Sequence, residues 1–265
     1  MTHAILARHV SHSYGDLTVL DNVSFSIEKG EFFIIIGPNG SGKTTLLNAI
    51  AGIEKHHEGS LDILGRPGSD YPRKKLAKTL ALVQQLAPVD FPFTVTEVVL
   101  MGRSPHLGVL GLEQKEDMEI AREALVFTGM EHLAGRKLYQ LSGGEQQRAF
   151  IARAICQQPQ IMLLDEPTAS LDLAHQVRVM DLMEKLKEEK GVTVVMVSHD
   201  LNLAAMYGDR LLLLKAGHIV SQGIPEDVLT FQTLEKGYDC TLVVDKSPLG
   251  NLPRVTLVPG KYLTE

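Results

Sequence analysis

The sequence predicts an α/β fold: a core of buried strands and flanking helices, an antiparallel β subdomain towards its N-terminal side, and a helical lobe set into its middle. Three observations carry this. The apolar run at 32–36, "FFIII", ends at a glycine-rich turn, "GPNGSGKTT" at 37–45, which opens a helix. Strand and helix alternate again from "IMLLDE" at 161–166 to "VTVVMVSHD" at 192–200. Between these parts, over about residues 86–155, apolar positions recur every three or four residues, the helical period.

The elements follow in order. Residues 3–36 read as antiparallel strand material, alternating apolar and polar in "LTVLDNVSFSIEKG" before the continuous run. A helix is expected over 43–50, where Leu46, Leu47 and Ile50 share a face. The helical lobe opens with the proline-bearing linker "LAPVDFPFTV" and continues through "LEQKEDMEIAREALVFTGM". "AHQVRVMDLMEKLKEEK" is an amphipathic helix, and "DRLLLLKAGHIVSQG" reads as a hairpin closing the core. One nucleotide-binding unit is expected over 1–240, followed by a turn-rich extension over 241–265 that contains "DKSPLGNLPRVTLVPG".

The chain has 265 residues, 44% hydrophobic and 22% charged, which is the composition of a folded globular protein. A net charge of -6 argues against an extended nucleic-acid surface, so no nucleic-acid partner is expected. Cys156 and Cys240 are far apart and form no C-x-x-C, consistent with ordinary reduced thiols. No run approaches the roughly 18 to 20 apolar residues of a membrane span. The N-terminal stretch lacks the apolar centre of a signal peptide. A membrane role is therefore expected at the cytoplasmic face, through a partner.

Gly37, Gly42, Lys43 and Thr44 fit G-x-x-x-x-G-K-[ST]. Glycines at this spacing let successive amides curl around phosphate oxygens, with the following helix directing its positive end at them. Pro38, Asn39, Gly40, Ser41 and Thr45 complete the loop. Lys43 would neutralise the β and γ phosphates and Thr44 would hold magnesium through its hydroxyl, so ATP and Mg2+ are the expected cofactors. The core is then that of a P-loop NTPase. Such a core needs a carboxylate at a neighbouring strand end, which Asp165 supplies; Glu166 is the candidate to polarise an attacking water. Adjacent acids on a strand point to opposite faces, so their joint use requires a turn, which Pro167 favours. Without the loop upstream, such an acidic pair is usually a solvated edge.

A second glycine-bearing helix start, "LSGGEQQRAF" at 141–150, raises the question of why one nucleotide would need two. With this octet "LSGGEQQR" upstream of "IMLLDE", the set resembles the nucleotide-binding subunits of ATP-binding-cassette (ABC) transporters over about residues 3–225. Ser142 and Glu145 also fit a capping box, and the two readings are compatible. The resemblance implies that Tyr14 stacks on adenine and that Gln85 senses the γ-phosphate and helps hold the metal, Gln84 being the alternative. It implies that "SLD" at 170–172 is the D-loop with Asp172 its acid, and that His199 contacts the γ-phosphate. A lone tyrosine or a histidine after a strand is otherwise packing or a cap. The family further implies a head-to-tail homodimer in which Ser142, Gly143 and Gly144 face ATP on the partner's phosphate loop.

The segment "FPFTVTEVVLMGRSPHLG" resembles the coupling region of importers for iron-siderophore, haem or cobalamin. Residues 85–108, with Arg103 exposed among them, are accordingly expected to contact permease subunits, with a substrate-binding protein acting through the permease. The alternatives are a soluble cassette ATPase acting as a conformational motor, and a nucleotide-binding module without turnover. The latter is disfavoured by Glu166 and His199.

Overall fold

The computed structural model describes residues 3–54, 58–84, 92–108, 111–169 and 171–262. The chain forms two compact units, Met1–Ser69 with Thr193–Glu265, and Asp70–Val192.

The first unit opens with β1 (His3–Tyr14) and β2 (Leu17–Glu28), paired antiparallel. Alternation in β2 buries Val23, Phe25 and Ile27 on one face. β3 (Phe32–Ile36) is fully buried along its length, and α1 (Lys43–Ile50) follows it through the glycine-rich loop. β4 (Glu58–Ile63) and β5 (Arg66–Pro67) complete an antiparallel sheet in the order β2-β1-β4-β5. β3 departs from the antiparallel expectation for 3–36. Both its faces are buried, the pattern of a strand inside a parallel sheet, and its neighbours prove to be parallel.

The second unit contains α2 (Arg73–Thr79), β6 (Leu80–Val83), α3 (Val95–Leu100), α4 (Lys115–Phe127), α5 (Gly143–Cys156), β7 (Ile161–Asp165) and α6 (Leu173–Lys190). β6 and β7 run parallel, in register from Leu80 opposite Ile161 to Val83 opposite Leu164. The helices α3, α4 and α5 share an apolar core including Val95, Val99, Leu125, Met130, Ala149 and Ala152. Cys156 lies in the same core, where burial pushes its thiol up to about 12 and keeps it unreactive. The helices expected over about 86–155 thus fall at 95–156, inside a unit that also takes in α2, the two strands and α6.

The chain then returns to the first unit with β8 (Thr193–Val197), α7 (Leu201–Tyr207), β9 (Arg210–Lys215), β10 (His218–Gly223), α8 (Pro225–Val228), α9 (Phe231–Tyr238), β11 (Leu242–Lys246) and β12 (Pro253–Leu257). Here β3 pairs parallel with both β8 and β9, and β9 turns back into β10 as an antiparallel hairpin. The segment read as a turn-rich extension contains a second hairpin, β11–β12, with turns between the strands and a 3-10 turn, Gly260–Tyr262, after them. It is held to the unit by Asn202 of α7, whose amide donates to the Val255 carbonyl at 3.2 Å and accepts from the Val255 N–H at 2.8 Å. Two five-residue strands are too short for their alternation to stand out from the intervening Pro, Gly and Asn. Among the described residues no helix is long and apolar enough to cross a membrane.

Candidate functional site

Within the first unit the phosphate loop leaves the C-terminal end of β3, and His199 follows the end of the adjacent parallel strand β8. Carboxyl ends of neighbouring parallel strands are where ligands bind in α/β sheets. The loop's inner flank is closed to side chains. A Cβ on Gly37 (φ +150) would fall 2.1 Å from the Leu214 carbonyl oxygen, and one on Gly42 (φ +99) would fall 2.7 Å from that of Val19. Gly42 is the N-cap of α1, so no side chain caps this helix, and its first turn holds no acid. A helix start with neither a capping side chain nor an acid beside it suits an anion.

Lys43 is buried, and its ammonium donates to the carbonyls of Gly37 and Pro38, both at 2.9 Å. The cation is thus held inside the loop. The Ser41 hydroxyl is buried without a hydrogen-bond partner among the described residues, a polar atom that a phosphate oxygen would satisfy. Asn39, Gly40 and Thr44 are exposed and Thr45 is half-buried. These features fit a nucleotide phosphate. Sequence reasoning missed Tyr238 of α9, whose hydroxyl is buried beside the Gly37 backbone; burial pushes the phenol up, while the Gly37 amide opposes the shift. No motif marks it.

Tyr14 ends β1 exposed, its ring edge-on to His12 with centroids 4.7 Å apart. His199 is also exposed. Capping of α7 falls to Asp200, whose carboxylate accepts from the N–H groups of Asn202 and Leu203, both at 2.9 Å.

Within the second unit, the register of β6 and β7 brings Gln84 and Asp165 to neighbouring strand ends. Gln85 and Ser170 lie outside the described residues. Asp165 is buried, and Glu166, half-buried, adopts a left-handed φ of +48°. A non-glycine residue there is uncommon and costs roughly 1–3 kcal/mol. This turn breaks the alternation that would point the two carboxylates apart.

Ser142 caps α5. Its backbone N–H and its hydroxyl both donate to the Glu145 carboxylate at 2.8 Å, and its oxygen accepts from the Glu145 N–H at 3.4 Å. The Ser142 amide, followed by its hydroxyl, holds the Glu145 carboxyl below the usual range. The capping box is therefore formed. Gly143 is exposed with open space on its Cβ side, whereas Gly144 is buried. Among the described residues no cluster of three or more His, Cys, Asp or Glu could hold a metal. Magnesium on a nucleotide does not need one, because phosphates and water fill most of its shell.

The structure corrects a further expectation. Arg103 is buried, not exposed, and is committed to the interior of its unit. Its Nε donates to Asp117 Oδ1 at 2.9 Å, and its Nη1 donates to the Cys156 carbonyl at 3.0 Å and to Gln158 Oε1 at 2.9 Å. His106 Nε2 meets the Gln157 carbonyl at 2.9 Å. The "GRSPH" segment thus satisfies carbonyls at the C-terminal end of α5. Among the described residues of 85–108, the exposed large apolar groups are Phe93 and Met101.

The ABC transporter family model matches residues 20–169. The chain is 42% identical over 259 residues to a hemin import ATP-binding protein of Vibrio cholerae, covering 96% of this chain and 98% of that one. It is also 42% identical to an uncharacterized ABC transporter ATP-binding protein of Bacillus subtilis, over 96% of this chain but only 58% of that longer protein. Among solved structures, an inward-facing metal-chelate type ABC transporter matches with a TM-score of 0.88 and 28% identity, over 99% of this chain and all of the matched one. A dimeric ATP-binding cassette in a post-hydrolysis state, bound to ADP and phosphate, matches with a TM-score of 0.72 and 36% identity, over 83% and 98% of the two chains.

Proposed function

Because the chain belongs to the ABC transporter family, we propose that it is the ATP-hydrolysing subunit that powers a membrane importer of a metal chelate of the iron-siderophore, haem or cobalamin class. The observation that carries the ATPase part is the α1 end, where a helix start without a side-chain cap, a loop flank closed by backbone carbonyls and a buried lysine converge. The cargo class rests on relatives named for hemin and ferric enterobactin import and on the metal-chelate type structure.

In this reading the amides from Gly40 to Thr45 receive the phosphates, and Lys43 exchanges its loop carbonyls for phosphate oxygens. Tyr14 supports the base. Magnesium would supply neutralisation of the phosphate charge. Thr44 and Asp165 are the residues that would hold it, with Gln85 a further ligand. Glu166 orients the attacking water and takes its proton, and His199 contacts the γ-phosphate. Ser142, Gly143 and Gly144 close on the ATP held by a second copy of the chain, so each site is shared. Residues 85–108 meet the permease at the cytoplasmic face, and a substrate-binding protein delivers the chelate from the other side.

Isolation of the tagged chain from detergent-solubilised membranes tests this. A multi-span membrane protein should co-purify in stoichiometric amount, and vesicles holding the pair should take up haem or a ferric siderophore or cobalamin only with ATP on the side of this chain. An active ATPase recovered without any membrane partner contradicts import and favours a soluble motor.

A further inference from the structure

Gly144 is buried because an imidazole stands where its side chain would be. A Cβ built there would fall 2.6 Å from Cδ2, 2.9 Å from Cγ and 3.2 Å from Nε2 of His175. His175 lies in the first turn of α6, and its Nδ1 sits 2.8 Å from Oδ1 of Asp172, the N-cap of that helix. The same oxygen accepts the His175 backbone N–H at 2.8 Å. That backbone bond alone would cap α6, so the cap does not account for the ring. The ring is anchored at one edge to the Asp172 turn and fills the space beside Gly144 at the other.

The surroundings support a fixed placement. The Asp172 carboxyl is held below its usual range by the His175 backbone N–H first and the imidazole next, with Arg178 adding to the effect. The turn before it is braced by Gln176, whose amide donates to the carbonyls of Thr168 at 3.3 Å and Leu171 at 3.1 Å. On the other side, the capping box fixes Ser142 to Glu145. Two hydrogen-bonded helix starts therefore meet through one ring.

We propose that His175 is a positioning residue that locks the Ser142–Gly144 turn to the Asp172 turn, so that the Ser142–Gly144 turn is held in place for the nucleotide of a second copy. This rests on the shared-site reading above. Glycine at 144 is then required for two reasons: its amide approaches phosphate, and its missing side chain makes room for the ring. The two residues form a lock-and-notch pair, and their substitutions must be non-additive, as is usual for residues in contact.

The test uses the full chain and four variants: Gly144→Ala, His175→Ala, the two combined, and His175→Asn, whose amide retains a donor towards Asp172. ATP-dependent dimerisation is followed by sedimentation, nucleotide affinity of the monomer with a fluorescent ATP analogue, and folding by thermal denaturation. His175→Ala should weaken dimerisation about tenfold, a typical coupling for residues in contact, with monomer nucleotide affinity and melting temperature unchanged. Gly144→Ala should be worse, because its methyl group displaces the ring. The combined variant should dimerise better than Gly144→Ala alone, and His175→Asn better than His175→Ala. Wild-type dimerisation by His175→Ala, or no gain in the combined variant over Gly144→Ala, overturns the proposal by itself. A wild-type chain that does not dimerise with ATP overturns the shared-site reading, and this proposal with it.

Discussion

Arg103 and Asp117 form an ion pair at 2.9 Å with only 6% and 10% of their side chains exposed. Removing one partner of a buried pair leaves the other charge desolvated, at a cost of about 3–5 kcal/mol. Arg103→Met should accordingly lower the unfolding free energy by about 3 kcal/mol in urea titration, and Arg103→Glu should lower it further by placing two carboxylates together. An Arg103→Met chain of unchanged stability would contradict the buried pair.

The same pair gives a pH dependence. The Gln114 amide and then Arg103 hold the Asp117 carboxyl below its ordinary value of 3.8. A depressed acid stabilises the fold above its unfolded pKa, and that contribution is lost as pH falls below it. In Asp117→Asn the drop in stability as pH falls below about 4 should shrink relative to the parent chain.

Glu166 follows the buried Asp165 in a strained turn and is assigned the water. Glu166→Gln should keep nucleotide binding and reduce turnover by about 100-fold or more, the usual loss on removing a general base. Near-normal turnover would exclude the assignment.

Two loop glycines should separate strain from crowding. A Cβ on Gly40 (φ +75) meets nothing, whereas one on Gly42 (φ +99) meets a backbone oxygen of Val19. Gly40→Ala carries only the left-handed penalty of about 1–2 kcal/mol. Gly42→Ala must also displace the start of α1, so its loss of ATP affinity should be the larger in a direct binding titration. Equal losses would contradict the closed inner flank.

The legible parts of this chain are those whose chemistry is local. Lys43, Gly42 and Thr44 must be consecutive to cradle a phosphate, and Ser142 and Glu145 must be three apart to cap a helix, so spacing alone reveals both. The turn at Glu166 was foreseeable from Pro167, although the left-handed backbone falls on Glu166 itself. Arg103 was misplaced because its burial depends on Asp117 and the end of α5, 14 and 53 residues away. A cation in a loop looks solvated until those partners are known. His175 has no ligand spacing, since its partners are a carboxylate it caps against and the missing side chain of Gly144.

The central claim is that each ATP site is built by two chains, and mixing two disabled variants tests it most directly. Lys43→Ala disables the phosphate loop, and Ser142→Arg blocks the α5 turn with a bulky cation. Each variant alone has two defective sites per dimer. In a mixed dimer, one site pairs the intact loop of the Ser142→Arg chain with the intact turn of the Lys43→Ala chain. Crosslinking with ATP and magnesium should therefore trap mixed dimers well above the level of either variant alone. If the mixture yields no more dimer than its components, the site is not shared, and the "LSGGEQQRAF" turn is a helix cap and nothing more.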